Sequence, residues 1–306
     1  MENNQPLLSI CIPIYNRIEY LEKMLNRFME DKQLFDDKID LLISDNCSTD
    51  DLKTCVEKYM QNGLRVTYHC NEENLGSDGN FLYCFSQVKG KYCWLLGSDD
   101  IPVKGYLNTL VPILQEKDYG LLHLDCYSGK NIQLREYSNN QKMVEDISYW
   151  ITFMSSNIFN SKYISLISGR QYMGTYLIQV PYYLYSCLYS SVNAIYTYRC
   201  FEKDDDSANN GNYNLFKVFV ENLYDIYKLF EQQKFLSRKT LNRIKKKEYE
   251  EYLFKFILEC LILRRNNHFY TDNAWRILFK NYGYKLYFYV YPIKKLVKKL
   301  VKVVKL

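Results

Sequence analysis

The chain alternates between two hydrophobic periods. Residues 7–14, LLSICIPI, form an apolar run rich in isoleucine and bounded by prolines, which predicts a buried strand. Tyr20, Leu21, Met24, Leu25 and Phe28 then recur at helical spacing. Residues 39–44 predict a second buried strand, and Ser48 or Thr49 can cap a helix starting near Asp50. Residues 64–69 predict a third strand. A turn at 74–77 leads into a helix carrying Phe81, Leu82, Phe85 and Val88. Residues 91–96 predict a fourth strand, followed by a helix over 103–115 and a strand over 119–125. Strands alternating with helices over about 120 residues predict an α/β fold, a mostly parallel sheet with helices on both faces.

Beyond this the pattern changes. Residues 128–149 are polar and read as a connection, and an apolar segment starts at Trp150. Tyr172, Tyr176, Tyr182 and Tyr183 could stack on sugar faces, but at helical spacing they read better as packing. From about 212 the composition turns helical, over 215–230 and 241–263. The last stretch, 292–306, is PIKKLVKKLVKVVKL. Ile293, Leu296, Val297, Leu300, Val301 and Val304 share one helical arc, while Lys294, Lys295, Lys298, Lys299, Lys302 and Lys305 share the other. A basic amphipathic helix without acids predicts contact with a membrane surface. The alternative is a helix that packs its apolar stripe on its own domain. The formal charge of +5 depends on those six lysines.

Polar chemistry gathers where strands end. Tyr15-Asn16-Arg17 follows the first strand, Asp45-Asn46 the second, and Ser98-Asp99-Asp100 the fourth. In a parallel sheet such ends share one edge, where ligands bind. Asp99 and Asp100 could simply cap a helix or sit in a solvated turn. Three separate caps would not explain why each of these strands ends on a polar cluster. The chain has neither GxGxxG nor GxxxxGK[ST]. Phosphates at this edge would therefore need a metal, and Mn²⁺ or Mg²⁺ suits carboxylate oxygens.

Four segments, SICIPIYNRIEYL, LLISDNCSTD, NLGSDGNF and WLLGSDD, occur in the order and spacing of a known family. Over residues 7–125 the chain resembles a family 2 glycosyltransferase of the GT-A fold, of the bacterial surface-polysaccharide type. The resemblance implies a GT-A domain over 1–211, with a donor half at about 7–125 and an acceptor half at about 126–211. A helical region, 212–306, would follow. It implies that Asp45 accepts a hydrogen bond from the donor base, and that Pro13, Tyr15 and Asn16 line the base and ribose pocket. Asn80 would match the family's donor-side asparagine, and Ser98 would sit near the ribose. Asp99 would ligate Mn²⁺ or Mg²⁺ on the diphosphate, with Asp100 supporting the metal or its waters. The family motif has an acid where Gly97 stands, and a larger residue where Gly79 stands.

Inverting sugar transfer also needs a base for the acceptor hydroxyl. The matching region, GRQYMGTYLIQVPYY, holds no acid, and neither Thr175 nor Gln179 is a competent base. Asp125 and the run Asp204, Asp205 and Asp206 are the candidates, although the run also reads as a solvated turn. His69, His123 and His268 read as structural or surface residues.

The rest bounds the reading. The 306 residues are 47% apolar and 25% charged, ordinary for a globular protein. The 31 tyrosines fit interfacial or carbohydrate surfaces, and equally a biased genome. Ten scattered cysteines without CxxC spacing and a polar N-terminus point to a reducing cytoplasm. No run is long enough to span a membrane. Together these predict a cytoplasmic enzyme, peripheral on the inner face of the cell membrane, that uses a uridine-type nucleotide sugar. Its acceptor would be a saccharide or polyprenyl-linked, as in lipopolysaccharide assembly, and no nucleic-acid motif is present. The alternatives are a sugar-phosphate nucleotidyltransferase, disfavoured because IYNRIEYL is not a glycine-rich basic loop, and a catalytically degenerate nucleotide-sugar-binding or assembly subunit.

Overall fold

The computed structural model describes residues 5–126, 132–202, 213–265 and 269–304, the last nine of these as backbone alone. The candidates Asp204, Asp205 and Asp206, and His268, lie outside the described residues. Two compact units divide the chain, Met1–Ser207 and Ala208–Leu306.

The first unit is built on one mixed sheet. Its strands are β1 (Leu8–Ile14), β2 (Ile39–Asp45), β3 (Thr67–Cys70), β4 (Tyr92–Leu95), β5 (Leu121–Asp125), β6 (Gln133–Tyr137), β7 (Asn157–Asn160) and β8 (Asn193–Thr197). They lie in the order β3-β2-β1-β4-β7-β5-β8-β6. The pairs β3–β2, β2–β1, β1–β4 and β5–β8 are parallel, whereas β7 runs antiparallel to both β4 and β5. Two antiparallel steps restore direction, so β5 and β8 end on the same edge as β1, β2 and β4.

Strand alternation sorts the side chains onto two faces. Leu8, Ile10, Ile12 and Ile14 of β1 pack with Leu21, Met24, Leu25 and Phe28 of α1 (Ile18–Glu30), Leu52 and Val56 of α2 (Leu52–Gln61), and Leu107 and Leu110 of α4 (Tyr106–Glu116). The opposite face carries α3 (Gly76–Ser86) and α6 (Gln179–Tyr189). There Phe85 meets Phe159 at 5.6 Å and Tyr182 at 4.5 Å. Full burial of each such side chain stabilises the fold by about 1.5–3 kcal/mol.

The 128–149 stretch is more regular than its composition predicts. It holds β6, antiparallel to β8, and α5 (Asn140–Ile147). β6 is an edge strand with a mostly exposed face, so its pattern lacks the apolar alternation that marks a buried strand. Tyr172, Tyr182 and Tyr183 are buried as packing predicts, while Tyr176 is half exposed in a left-handed turn.

The second unit is helical, over Leu223–Gln232, Arg238–Glu248, Ala274–Tyr282 and Leu286–Val304, with π-helical turns at Lys217–Asn222, Tyr249–Leu253 and Ile257–Ile262. Tyr224, Tyr227, Tyr249 and Tyr282 form its centre and are essentially fully buried. All ten cysteines are free thiols.

Candidate active site

The turn after β1 is strained and tied down. Asn16 and Arg17 both have positive φ, 59° and 67°. Asparagine tolerates that region through local hydrogen bonds; arginine does so at a cost. The compensation comes from the turn after β2. The Asn16 N–H donates to Ser48 Oγ at 2.7 Å, and the Thr49 N–H and Oγ1–H donate to Asn16 Oδ1 at 2.9 and 3.1 Å. Asp50 Oδ2 accepts from the Ile18 N–H at 3.1 Å, at the start of α1. Ser48 and Thr49 therefore bind the neighbouring turn. Asp51, not either of them, caps α2, accepting from the Thr54 N–H at 3.1 Å. Tyr15 stays 46% exposed over this platform, and Pro13 is half buried.

Asp45 closes β2, buried to 2% exposure. Its Oδ1 accepts from the Ser48 N–H at 2.8 Å and its Oδ2 from the Tyr68 hydroxyl at 2.6 Å. Burial first, and then that bond to Asp45, push the Tyr68 hydroxyl far above its ordinary range. Tyr68, from β3, is a site residue that the sequence reading missed; it lies in register with Ile43, two positions before Asp45, and reaches Asp45 diagonally across the parallel pair.

Behind Asp45 stands a buried amide cluster. Asn80 Oδ1 accepts from the Ser44 hydroxyl at 2.6 Å and from Asn71 Nδ2 at 3.2 Å, and Asn80 Nδ2 donates to the Ser44 carbonyl at 3.0 Å. Asn46 donates to Asn74 Oδ1 and the Gly76 carbonyl and accepts from the Leu75 N–H. These bonds pin the left-handed Gly76 turn that opens α3. Gly79 is required here because a Cβ would stand 2.7 Å from Leu75 Cβ. Asn80 is 3% exposed, with its amide committed to the sheet end.

β4 delivers the acids. Asp99 Oδ2 pairs with Arg17 Nη1 at 3.1 Å, both side chains about a quarter exposed. Asp100 turns inward, where its Oδ2 accepts from the Ser155 hydroxyl at 2.5 Å. Ser155 also accepts from the Gly97 N–H at 2.8 Å, and its carbonyl accepts from Trp94 Nε1 at 2.8 Å. Burial raises the Asp100 carboxyl to about 7, with the Ser155 bond opposing it and the Asp99 charge adding to it. Ser98 is buried beside them. A Cβ at Gly97 would lie 2.6 Å from Asp100 Oδ2 and 3.2 Å from Asp99 Oδ1. A side chain at Gly97 would therefore require the Asp100 carboxylate to shift.

Asp99 and Asp100 are consecutive acids whose carboxylates are hard donors, one paired with Arg17 and the other accepting from the Ser155 hydroxyl. No cluster of three or more His, Cys, Asp or Glu ligands exists among the described residues. Two carboxylates fit a cation that takes its other ligands from water and a substrate diphosphate.

Asp125 ends β5 on the same edge, with Thr197 Oγ1 3.5 Å from its Oδ2. Two strand spacings place it roughly 10 Å from β4. In the segment expected to hold the base, Thr175 Oγ1 donates to the Tyr172 carbonyl and Gln179 Nε2 to the Thr152 carbonyl. An acid reaches this segment from α3: Asp78 Oδ2 accepts from the Tyr176 N–H at 3.1 Å, and burial raises its carboxyl. His69 stacks on Tyr83, and His123 is buried against Asn157 Oδ1 at 2.9 Å.

A mixed sheet whose parallel strands bring Asp45 and Asp99 to one edge is an α/β fold of the GT-A architecture. The chain belongs to glycosyl transferase family 2, whose model matches residues 9–173. The abequosyltransferase RfbV of Salmonella typhimurium is 41% identical over 112 residues, 36% of this chain and 33% of that protein. The GalNAc(5)-diNAcBac-PP-undecaprenol beta-1,3-glucosyltransferase of Campylobacter jejuni is 28% identical over 144 residues, 46% of this chain and 45% of that protein. The matched region thus spans between a third and a half of these relatives. Residues 1–349 of Staphylococcus aureus TarS share the fold, with a TM-score of 0.58 at 15% identity over 82% of this chain and 74% of that one.

Proposed function

We propose that this chain is an inverting glycosyltransferase that moves a sugar from a nucleoside diphosphate sugar, of the uridine type, to a saccharide or polyprenyl-linked acceptor at a membrane surface. One observation carries the reading: Tyr15, Asp45 and Asp99 converge at the ends of three parallel strands in a family 2 chain. Asp45 accepts from the base, Tyr15 and Pro13 offer it an apolar wall, and Asn16 shapes the ribose pocket. Asn80 acts from behind, through Ser44. Ser98 lies toward the ribose. Asp99, supported by Asp100, would hold Mn²⁺ or Mg²⁺ against the diphosphate. A divalent ion there neutralises the charge that develops on a departing diphosphate. The acceptor oxygen attacks the anomeric carbon in line, the bond to the diphosphate breaks, and the hydroxyl proton goes to a carboxylate base. Asp125 is the base candidate among the described residues; Asp204, Asp205 and Asp206 are the others.

Two relatives support the finer parts. A lipid-linked glycan stands in the name of the Campylobacter relative. The TarS domain has been solved with UDP-GlcNAc. Residues 1–211 would be the transferase domain and 212–306 the helical region, which holds the enzyme to the cytoplasmic face of the membrane through 292–306. No helix among the described residues is long and apolar enough to cross a membrane.

Calorimetric titration of UDP, with and without Mn²⁺, tests the donor site. Binding that requires Mn²⁺ and is lost in Asp99→Ala supports it; a folded protein that binds no nucleoside diphosphate with metal sinks it. A second reading, a degenerate nucleotide-sugar-binding subunit, is favoured by one observation: Asp99 is already neutralised by Arg17 while residues 169–185 hold no acid. Release of UDP from UDP-sugar by the wild type, but not by Asp125→Asn, separates the two.

A further inference from the structure

The C-terminal helix Leu286–Val304 carries two apolar faces, and the helical unit uses one of them. Phe288 is 8% exposed and packs 5.4 Å from the Tyr249 ring and 5.7 Å from Phe279. Tyr291 packs against Phe254 at 5.2 Å, and its hydroxyl donates to the Glu250 carbonyl at 2.6 Å. These residues face the core of their unit. Leu286, Tyr289 and Ile293 do not: they are 78%, 49% and 61% exposed. Their spacing of three and four places them on one stripe, which Leu296, Leu300 and Val304 continue in the sequence. In the sequence, the positions in helical register with Phe288 and Tyr291 beyond Pro292 are Lys295, Lys298 and Lys302. The helix Ala274–Tyr282 adds to the exposed side. Trp275 and Phe279, one turn apart, are 44% and 52% exposed with ring centroids 6.1 Å apart. Tyr284, 67% exposed, lies under the Lys285 ammonium at 4.6 Å.

We infer that Trp275, Phe279, Tyr284, Leu286, Tyr289 and Ile293 form a membrane-inserting face whose occupant is an anionic lipid bilayer. The inference deepens the membrane-surface part of the proposed function and is independent of the transfer chemistry. Charge selects the occupant. After Asp272 the chain has no acid and nine basic residues. A second copy docked on the same stripe would bring two sets of lysines together without counter-charges, which is destabilising. Anionic headgroups supply those counter-charges. Tryptophan and tyrosine beside exposed leucine and isoleucine suit the boundary between headgroups and acyl chains. Flexible lysine stems let the ammonium groups reach the headgroups while the stripe is buried.

The test uses the full chain, phosphatidylcholine vesicles with and without about 30% phosphatidylglycerol, and two sets of surface substitutions. The expected result is co-sedimentation with the anionic vesicles and little with pure phosphatidylcholine. Trp275→Ala with Phe279→Ala and Leu286→Ser should lower partitioning about tenfold or more. Trp275 and Phe279 are about half exposed and Leu286 more so; a thermal melt and circular dichroism of the variant check that the helical unit keeps its fold, and UDP titration reads the donor site separately. Trp94 is fully buried and Trp150 belongs to the other unit, so the blue shift in emission on vesicle binding should come from Trp275 and vanish in Trp275→Phe, which keeps the other two tryptophans. Three results overturn the inference. One is unchanged partitioning of the triple variant with binding lost only in Lys294→Gln and Lys295→Gln, which means adsorption by charge alone. Another is equal binding to neutral vesicles. The third is a concentration-dependent dimer in sedimentation velocity that the triple variant abolishes. Loss of UDP binding with vesicle binding intact would instead remove the transferase reading and leave the face standing.

Discussion

Arg17 Nη1 stands 3.1 Å from Asp99 Oδ2, joining the turn after β1 to the end of β4. The pair places an internal cation where the family resemblance expects a metal. A metal at Asp99 must therefore share the carboxylate with Arg17 or displace it. Because both side chains are partly exposed, the pair contributes at most about 1 kcal/mol to stability. Arg17→Ala should shift the melting temperature little and tighten Mn²⁺ binding severalfold in a metal titration. Unchanged Mn²⁺ affinity would show that the guanidinium does not compete.

Asp45 should matter more for nucleotide binding than for chemistry. Asp45→Ala removes the acceptor proposed for the base and strands the Ser48 N–H and the Tyr68 hydroxyl. A hydrogen bond to a charged group is worth about 1.5–3 kcal/mol, so UDP affinity should fall at least tenfold. Tyr68→Phe leaves Asp45 one partner short, and should cost about 1 kcal/mol of stability with a smaller loss of affinity. Equal losses from both variants would mean that Asp45 serves only the fold.

Gly97 should not accept the acid found in related motifs. A Cβ there meets the carboxylate of Asp100 at 2.6 Å. Gly97→Asp should therefore destabilise the protein by about 1–3 kcal/mol by crowding a packed site, and should not strengthen Mn²⁺ binding. A more stable variant with tighter metal affinity would refute the steric account.

Buried charge in the helical unit gives a pH dependence. Glu248 is fully buried, and neither carboxylate oxygen has a hydrogen-bond partner. Burial raises its carboxyl well above the usual range, with Lys245 opposing. Lys245, over the Tyr224 ring at 4.0 Å, is lowered by burial to about 8. The native state holds the Glu248 proton above the unfolded value of about 4.5, so this group costs stability increasingly as pH rises from there. Lys245 opposes folding below about 8, and that cost fades as pH rises through the unfolded lysine range. Glu248→Leu should stabilise by about 1–3 kcal/mol at pH 8 and less at pH 4.5, as read by thermal melts at both. A difference that does not grow with pH would mean that Glu248 is ionised and paired in solution.

The sequence determined the main strands and helices of the donor half, because isoleucine and leucine runs of strand length alternate there with helical spacing. It also determined which strand ends carry polar groups. The resemblance carried by its four segments singled out Asp45 and Asp99, and the family match covers both positions. Tertiary structure decided what those side chains touch. The Arg17–Asp99 pair spans 82 positions, and the Ser155–Asp100 bond spans 55. No local pattern encodes such distances, because they arise only when the sheet brings separate turns to one edge, the parallel β1 and β4 for the first and the antiparallel β4 and β7 for the second. β6 escaped notice because an exposed edge strand has little apolar alternation to show. The C-terminal helix makes the same point at its clearest. Sequence gave it one amphipathic arc, but the packing of Phe288 and Tyr291 against the Tyr249 core decided which side is covered and left Leu286, Tyr289 and Ile293 facing out.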